Sequence, residues 1–325
     1  MLPEPPRTWS VIHDYRRLPV EGEEQNDVSP EFALELRRAR ERRLIALELF
    51  EDDTVPQFDV VGALTDDPDA LAQRIRSALD VSVAGQTMWR DQREALNGWI
   101  AAAEAIGVLV FQASGIDTAE MRGVSVGEFP LPVIILNGGD SVSGRIFSLM
   151  HELVHLALRQ DALCILSEGD QTEVFCNRVA GAVLVPTDAL LADSLVARTR
   201  VPVDWTDDEI RRIANRFKVS EEAIARRLTI VGRATQAFYA RKRVEYAARY
   251  AEYLAENERA GKRGGGPPYP VMVLRNLGYA YTSAVFGAYH ERRLTVADVG
   301  AYLNVKVKHL AAVEKQLWGS RAERA

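Results

Sequence analysis

Apolar residues follow two rhythms along this chain. Between Gly107 and Asn137 they come in short unbroken runs. Gly107 to Gln112, Gly123 to Gly127 and Pro132 to Asn137 predict three strands, the last closed by Gly138, Gly139 and Asp140. On either side the spacing is helical. Gln92 to Ile106 predicts a helix that stops at Gly107. Arg145 to Arg159 holds no Pro or Gly and is apolar on most sides, which predicts a largely buried helix. Thr172 to Val185 predicts a second apolar helix, ended by Pro186. The expected class is therefore α+β: a small sheet packed on a buried helix, followed by a mostly helical half.

The buried helix carries His151, Glu152 and His155. Two histidines four apart stand one above the other on a helix, so both imidazoles can face one ion. Glu152 projects about 100° around the axis from His151. It suits a second task, taking a proton from water at the metal. Ionisable groups on an apolar helix are costly to bury without a use. This pattern points to a catalytic zinc site, one ion per chain.

Such a site needs a third protein ligand. Glu168, Asp170 and Glu173 follow closely. Glu173 opens the second apolar helix, and a turn through Leu166 to Asp170 would bring it level with the histidines. Glu168 and Asp170 flank Gly169 and read as turn residues, Asp170 as a candidate N-cap. Glu173 is the first candidate and Glu168 the second. Asn177, one turn beyond Glu173, is a candidate hydrogen-bond partner for a ligand. Cys164 and Cys176 are the only cysteines, so no disulfide framework is expected; a redox pair is a minor alternative, with Cys176 read as a small apolar group. A strand edge beside the ion, Val124–Val126 or Val133–Leu136, could bind an extended peptide through its backbone.

Ile134 to Asn137, then Arg145 to His155, then Glu173 to Pro186 together resemble the ImmA/IrrE family of metallo-endopeptidases. The resemblance is strongest over residues 100–190. It implies a zincin-like core, zinc on His151, His155 and Glu173, and Glu152 as catalytic base. It also implies a cytoplasmic protein that cleaves or regulates a repressor of the XRE helix-turn-helix type, or an antitoxin. Many members carry such a DNA-binding domain at the N-terminus; residues 1–28 here are too short and too rich in Pro and Glu for one.

In the later half, Thr206 with Glu209 and Thr295 with Asp298 have capping-box spacing, each opening a compact helical pair with helix-turn-helix outline. Ile213, Ala214, Val219, Ile224 and Leu228 should face inward in the first pair, with Arg226 and Arg227 on its surface. Glu221 and Glu222 would repel phosphate where a reading helix meets DNA. Lys306, Lys308 and His309 open the last helix, and that pair is the better candidate for phosphate contact. Between the pairs lie a helix from Gln236 to Arg259 with a tyrosine stripe, a flexible run from Gly261 to Pro268, and a helix over Val273 to Tyr289. At the front, Ser29 and Pro30 start a charged helix to Phe50 that should lie over another surface.

Charge divides the chain. Residues 1–204 hold 18 basic and 33 acidic side chains (net −15), and residues 205–325 hold 22 and 13 (net +9). That asymmetry suggests two tasks. The expected division is 1–84 as an N-terminal helical cover, 85–204 as the peptidase domain and 205–325 as a basic helical domain with possible DNA contact. No apolar run approaches the 18 or so residues of a membrane span, and no signal peptide is evident, so a cytoplasmic protein without membrane contact is expected. A DNA-binding or metal-sensing regulator with the peptidase-like core as scaffold is the alternative reading.

Overall fold

The computed structural model describes residues 28–50, 57–159, 165–261 and 267–322. The fold is α+β: many helices around one small sheet. Helix α1 (Pro30–Leu49) is followed by α2 (Pro68–Leu79), α3 (Val83–Met88) and α4 (Gln92–Ala105). Strands β1 (Leu109–Ala113), β2 (Gly123–Val126) and β3 (Val133–Asn137) come next, then α5 (Val142–Leu158), α6 (Ile165–Leu184) and α7 (Thr187–Leu191). The rest is helical: α8 (Asp207–Phe217), α9 (Glu221–Ile230), α10 (Gln236–Gly261), α11 (Tyr269–Leu277), α12 (Tyr279–His290), α13 (Val296–Tyr302) and α14 (Val307–Ala322).

The strands lie in the order β1-β3-β2, with β1 parallel and β2 antiparallel to β3. Val133–Leu136 is therefore the centre of the sheet and cannot offer an edge to a peptide; β2 can. The pleat sends alternate residues to opposite faces. Val108, Val110, Ile134 and Leu136 join a core with α2, α4, α5, α6, α8 and α9. Leu109, Phe111, Val124, Val126, Val133 and Ile135 join a second core with α1 and α11 to α14. Both faces are covered, which is why β1 and β3 read as unbroken apolar runs.

The caps act as their residue types require. Ser29 accepts from Phe32 N at 3.1 Å, and both capping boxes close, Thr206 with Glu209 and Thr295 with Asp298. The charged front helix does lie over another surface: buried Arg43 donates to the carbonyls of Glu128, Pro130 and Leu131, fastening α1 to the β2–β3 connection.

Three local expectations change. Helix α6 begins at Ile165, so Leu166 to Asp170 continue a helix rather than turning, and Asp170 is not its cap. The helix expected over Val273 to Tyr289 is broken at Gly278, whose φ of 73° suits glycine. A Cβ there would lie 2.6 Å from the Val110 carbonyl, so the break lets the chain pass close to β1. Arg227 is buried, not on the surface: it donates to the Val185 carbonyl at 3.0 Å and to Asp69 at 3.0 Å. Helix α9 is thereby tied into the core, while Ile213, Ala214, Val219, Ile224 and Leu228 face inward as expected. Cys164 and the run 262–266 lie outside the described residues. No described helix is long and apolar enough to cross a membrane.

Candidate metal centre and its base

Helix α5 lies between the sheet and α6, packed on both. Ile146, Leu149, Met150, Leu153 and Val154 fill the core, so the remaining stripe carries the polar groups. His151 is 1% exposed and Glu152 5%. From α6, Glu173 reaches the two imidazoles: its Oε2 lies 3.2 Å from His151 Nε2, and its Oε1 lies 3.1 Å from His155 Nε2. The two Nε2 atoms are 3.1 Å apart. The structure brings these three candidate ligands together, and they form a group able to hold a metal ion. Glu168 belongs to the part of α6 whose side chains are not described.

The residues present suit such an ion. Ligand atoms around four-coordinate zinc, bonded at about 2.0–2.1 Å, lie about 3.3 Å from one another. The spacings of 3.1–3.2 Å come close to that. Buried Glu173 Oε2 has no well-directed hydrogen bond despite its nearness to His151, as expected of an oxygen shaped for a cation. Around His151, Asn177 Oδ1 lies 3.1 Å from Nδ1, which makes Nδ1 the donor and leaves the Nε2 lone pair to face the group.

Electrostatics agree. Burial works against ionising Glu173, yet the adjacent His151 and His155 rings hold its carboxyl well below the usual range. Burial also disfavours a charged His155; the Cys176 thiol and Glu173 outweigh it, and the ring's pKa is raised well above its ordinary value. Cys176 is buried with Sγ 3.8 Å from His155 Nδ1, and burial pushes its thiol up against the opposing effect of that ring. This pocket of donors favours positive charge at its centre.

Glu152 also reaches the sheet. Since Val124 and Val126 face the far core, the pleat turns Ser125 toward α5. Its hydroxyl donates to Glu152 Oε2 at 2.8 Å. Gly123 shares that face, and a Cβ there would lie 3.2 Å from Ser148 Cβ and 3.3 Å from Glu152 Cγ, so strand and helix approach closely. Ser125 was not flagged from the sequence. Its signal was a lone polar residue on an otherwise apolar strand.

Residues 103–229 match the profile of the IrrE N-terminal-like domain, peptidase M78. A comparison with curated proteins finds no match. The matched stretch starts on α4, takes in the sheet and the His–His–Glu group, and ends on α9.

Proposed function

We propose, on the match of residues 103–229 to the IrrE N-terminal-like peptidase domain, that the chain is a zinc-dependent endopeptidase of the ImmA/IrrE family with Glu152 as its base. The observation that carries this reading is the placement of Glu152. Its carboxylate is anchored on Ser125 and sits one residue from His151, at the side of a His–His–Glu group. His151, His155 and Glu173 would hold the ion, one per chain. When bound, zinc supplies Lewis acidity, polarising the scissile carbonyl and lowering the pKa of water toward neutrality. Glu152 accepts the proton of the attacking water on its carboxylate and passes it to the leaving amide nitrogen. Ser125 keeps that carboxylate in one rotamer while it does so. The edge of β2 not paired with β3 offers its backbone to an extended substrate segment.

The proposed substrate is a DNA-binding repressor of the XRE type or an antitoxin, cleaved in the cytoplasm with narrow specificity to regulate transcription. This follows from the family resemblance. The test is metal content per chain in the parent, Glu173→Ala and Glu152→Gln, read beside cleavage of a candidate repressor. About one zinc in the parent and in Glu152→Gln, its loss from Glu173→Ala, and cleavage by the parent alone are expected. Full activity in Glu152→Gln would sink the mechanism.

A second reading, a DNA-binding or metal-sensing regulator built on this core, draws on the last helical pair. A surface cavity at the α13–α14 turn is lined by Lys306, Lys308 and His309 with Tyr269 beside them. Salt-dependent, sequence-selective DNA binding that survives Glu152→Gln would favour it.

A further inference from the structure

The two histidines of the metal group bring one nitrogen together and hold the other apart. Their rings meet at 63° with centroids 4.8 Å apart, and both Nε2 atoms lie within 3.2 Å of Glu173 while the Nδ1 atoms meet different partners. A neutral imidazole that offers its Nε2 lone pair to an ion carries its proton on Nδ1, and that N–H needs an acceptor. For a ligand histidine the acceptor sets the tautomer, fixes the ring orientation and raises the basicity of the other nitrogen.

Helix α6 supplies both acceptors. Residues three and four apart share a helix face, so Glu173, Cys176 and Asn177 all turn toward α5. Asn177 Oδ1 lies 3.1 Å from His151 Nδ1, and Cys176 Sγ lies 3.8 Å from His155 Nδ1, a separation that suits the larger sulfur atom. By sequence Cys176 reads as a small apolar group, and it is wholly buried in the core that α5 and α6 share. A hydrocarbon side chain would fill that space as well, but it could not accept the Nδ1 proton. The two rings also differ in how firmly their surroundings hold them. The His151 side chain is 2% exposed, whereas 20% of the His155 side chain is open to solvent. His155 therefore depends more on a specific contact to keep one orientation.

We propose that Cys176 is the positioning residue of His155, its sulfur accepting the Nδ1–H so that Nε2 faces the ion. The proposal rests on the zinc reading of the His–His–Glu group. Sulfur binds no metal in this role: it stands at the Nδ1 side of the ring, while Nε2 faces Glu173. A thiol is a weaker acceptor than an amide oxygen, so its removal should cost less than removal of Asn177. The division of labour between the helices is then complete. Helix α5 provides the imidazoles, and one face of α6 provides the third ligand together with the hold on both rings.

The test is zinc affinity by chelator competition for the full-length parent, Cys176→Ala, Cys176→Val and Asn177→Ala, with NMR of the imidazole nitrogens in the zinc-loaded proteins. Loss of a partner behind a ligand histidine typically weakens metal binding ~10–100-fold. Both Cys176 variants should lie near the low end of that range, at about tenfold, and Asn177→Ala beyond them. Valine keeps the apolar volume, so similar losses with valine and alanine assign the effect to the acceptor rather than to a cavity. In the spectra, the parent should show both ligand histidines protonated on Nδ1. The His155 Nδ1–H should exchange faster with water in both Cys176 variants, with that of His151 unchanged. Parental affinity and an unaltered His155 signal in both variants would overturn the inference and leave the zinc reading standing. Affinity lost with alanine but kept with valine would overturn it too, since the sulfur would then only fill space. A parent that takes up no zinc would overturn both readings together. Neither readout depends on peptidase activity.

Discussion

Ser125 and Glu152 illustrate how little separates a structural residue from a functional one. A serine on a buried strand needs a hydrogen-bond partner, and a glutamate on a buried helix needs one more urgently. Here each satisfies the other at 2.8 Å. The proposed base is thus held by a strand rather than by its own helix. Ser125→Ala should therefore keep the metal and lower kcat about tenfold, a loss of ~1.4 kcal/mol in transition-state stabilisation. Unchanged kcat in a metal-replete Ser125→Ala enzyme would mean that the hydroxyl merely fills space. The HExxH residues were legible because their spacing is a property of one helix. Glu173 was legible only as a first candidate, since nothing local says how α6 returns to α5.

Elements meet at Gly123, and there the packing is as tight as carbon atoms allow. Its missing side chain lets β2 approach α5 within reach of the Ser125 hydroxyl. Gly123→Ala requires the helix or strand to shift by a few tenths of an ångström, because the new Cβ would meet Ser148 and Glu152 at 3.2–3.3 Å. Such overpacking typically costs about 1–3 kcal/mol. The expected outcome is a Tm lower by several degrees and reduced cleavage at full zinc occupancy. A variant with parental Tm and activity would show that the contact has slack. The strands themselves were readable from their apolar runs and the capped helices from their Ser and Thr residues. The start of α6 was not, because Gly169 and two carboxylates imitate a turn that a helix stabilised by packing on α2 and α5 overrides. Gly278 ended one helix and began another for a reason outside its neighbours: the chain must clear the Val110 carbonyl.

At the scale of the whole molecule the sheet is the shared wall of two cores. Leu109, Phe111, Val133 and Ile135 depend on α1 and α11 to α14 for cover. Tyr281, Val285, Phe286, Leu303, Val313 and Leu317 are buried in that second core. Fully buried side chains of this kind contribute about 1.5–3 kcal/mol each. Six of them together rival the ~5–15 kcal/mol that holds an ordinary domain folded. A chain ending at residue 266 should accordingly lose cooperative unfolding and bind a hydrophobic dye. A monomeric, cooperatively melting truncation would contradict the shared-wall architecture. Charge asymmetry between the halves gave no hint of this, because net charge reports on partners and solubility rather than on packing.

The sequence by itself determined whatever depends on neighbours along the chain. The phase of His151, Glu152 and His155 on one helix, the alternation of strand side chains, the capping boxes and the α+β class all follow from periods of a few residues. Only the tertiary structure decided which carboxylate from α6 meets the histidines, which strand is an edge, that Ser125 holds Glu152, and that Arg227 is buried. Each of these joins residues distant along the chain, so its physical cause is the way whole elements pack.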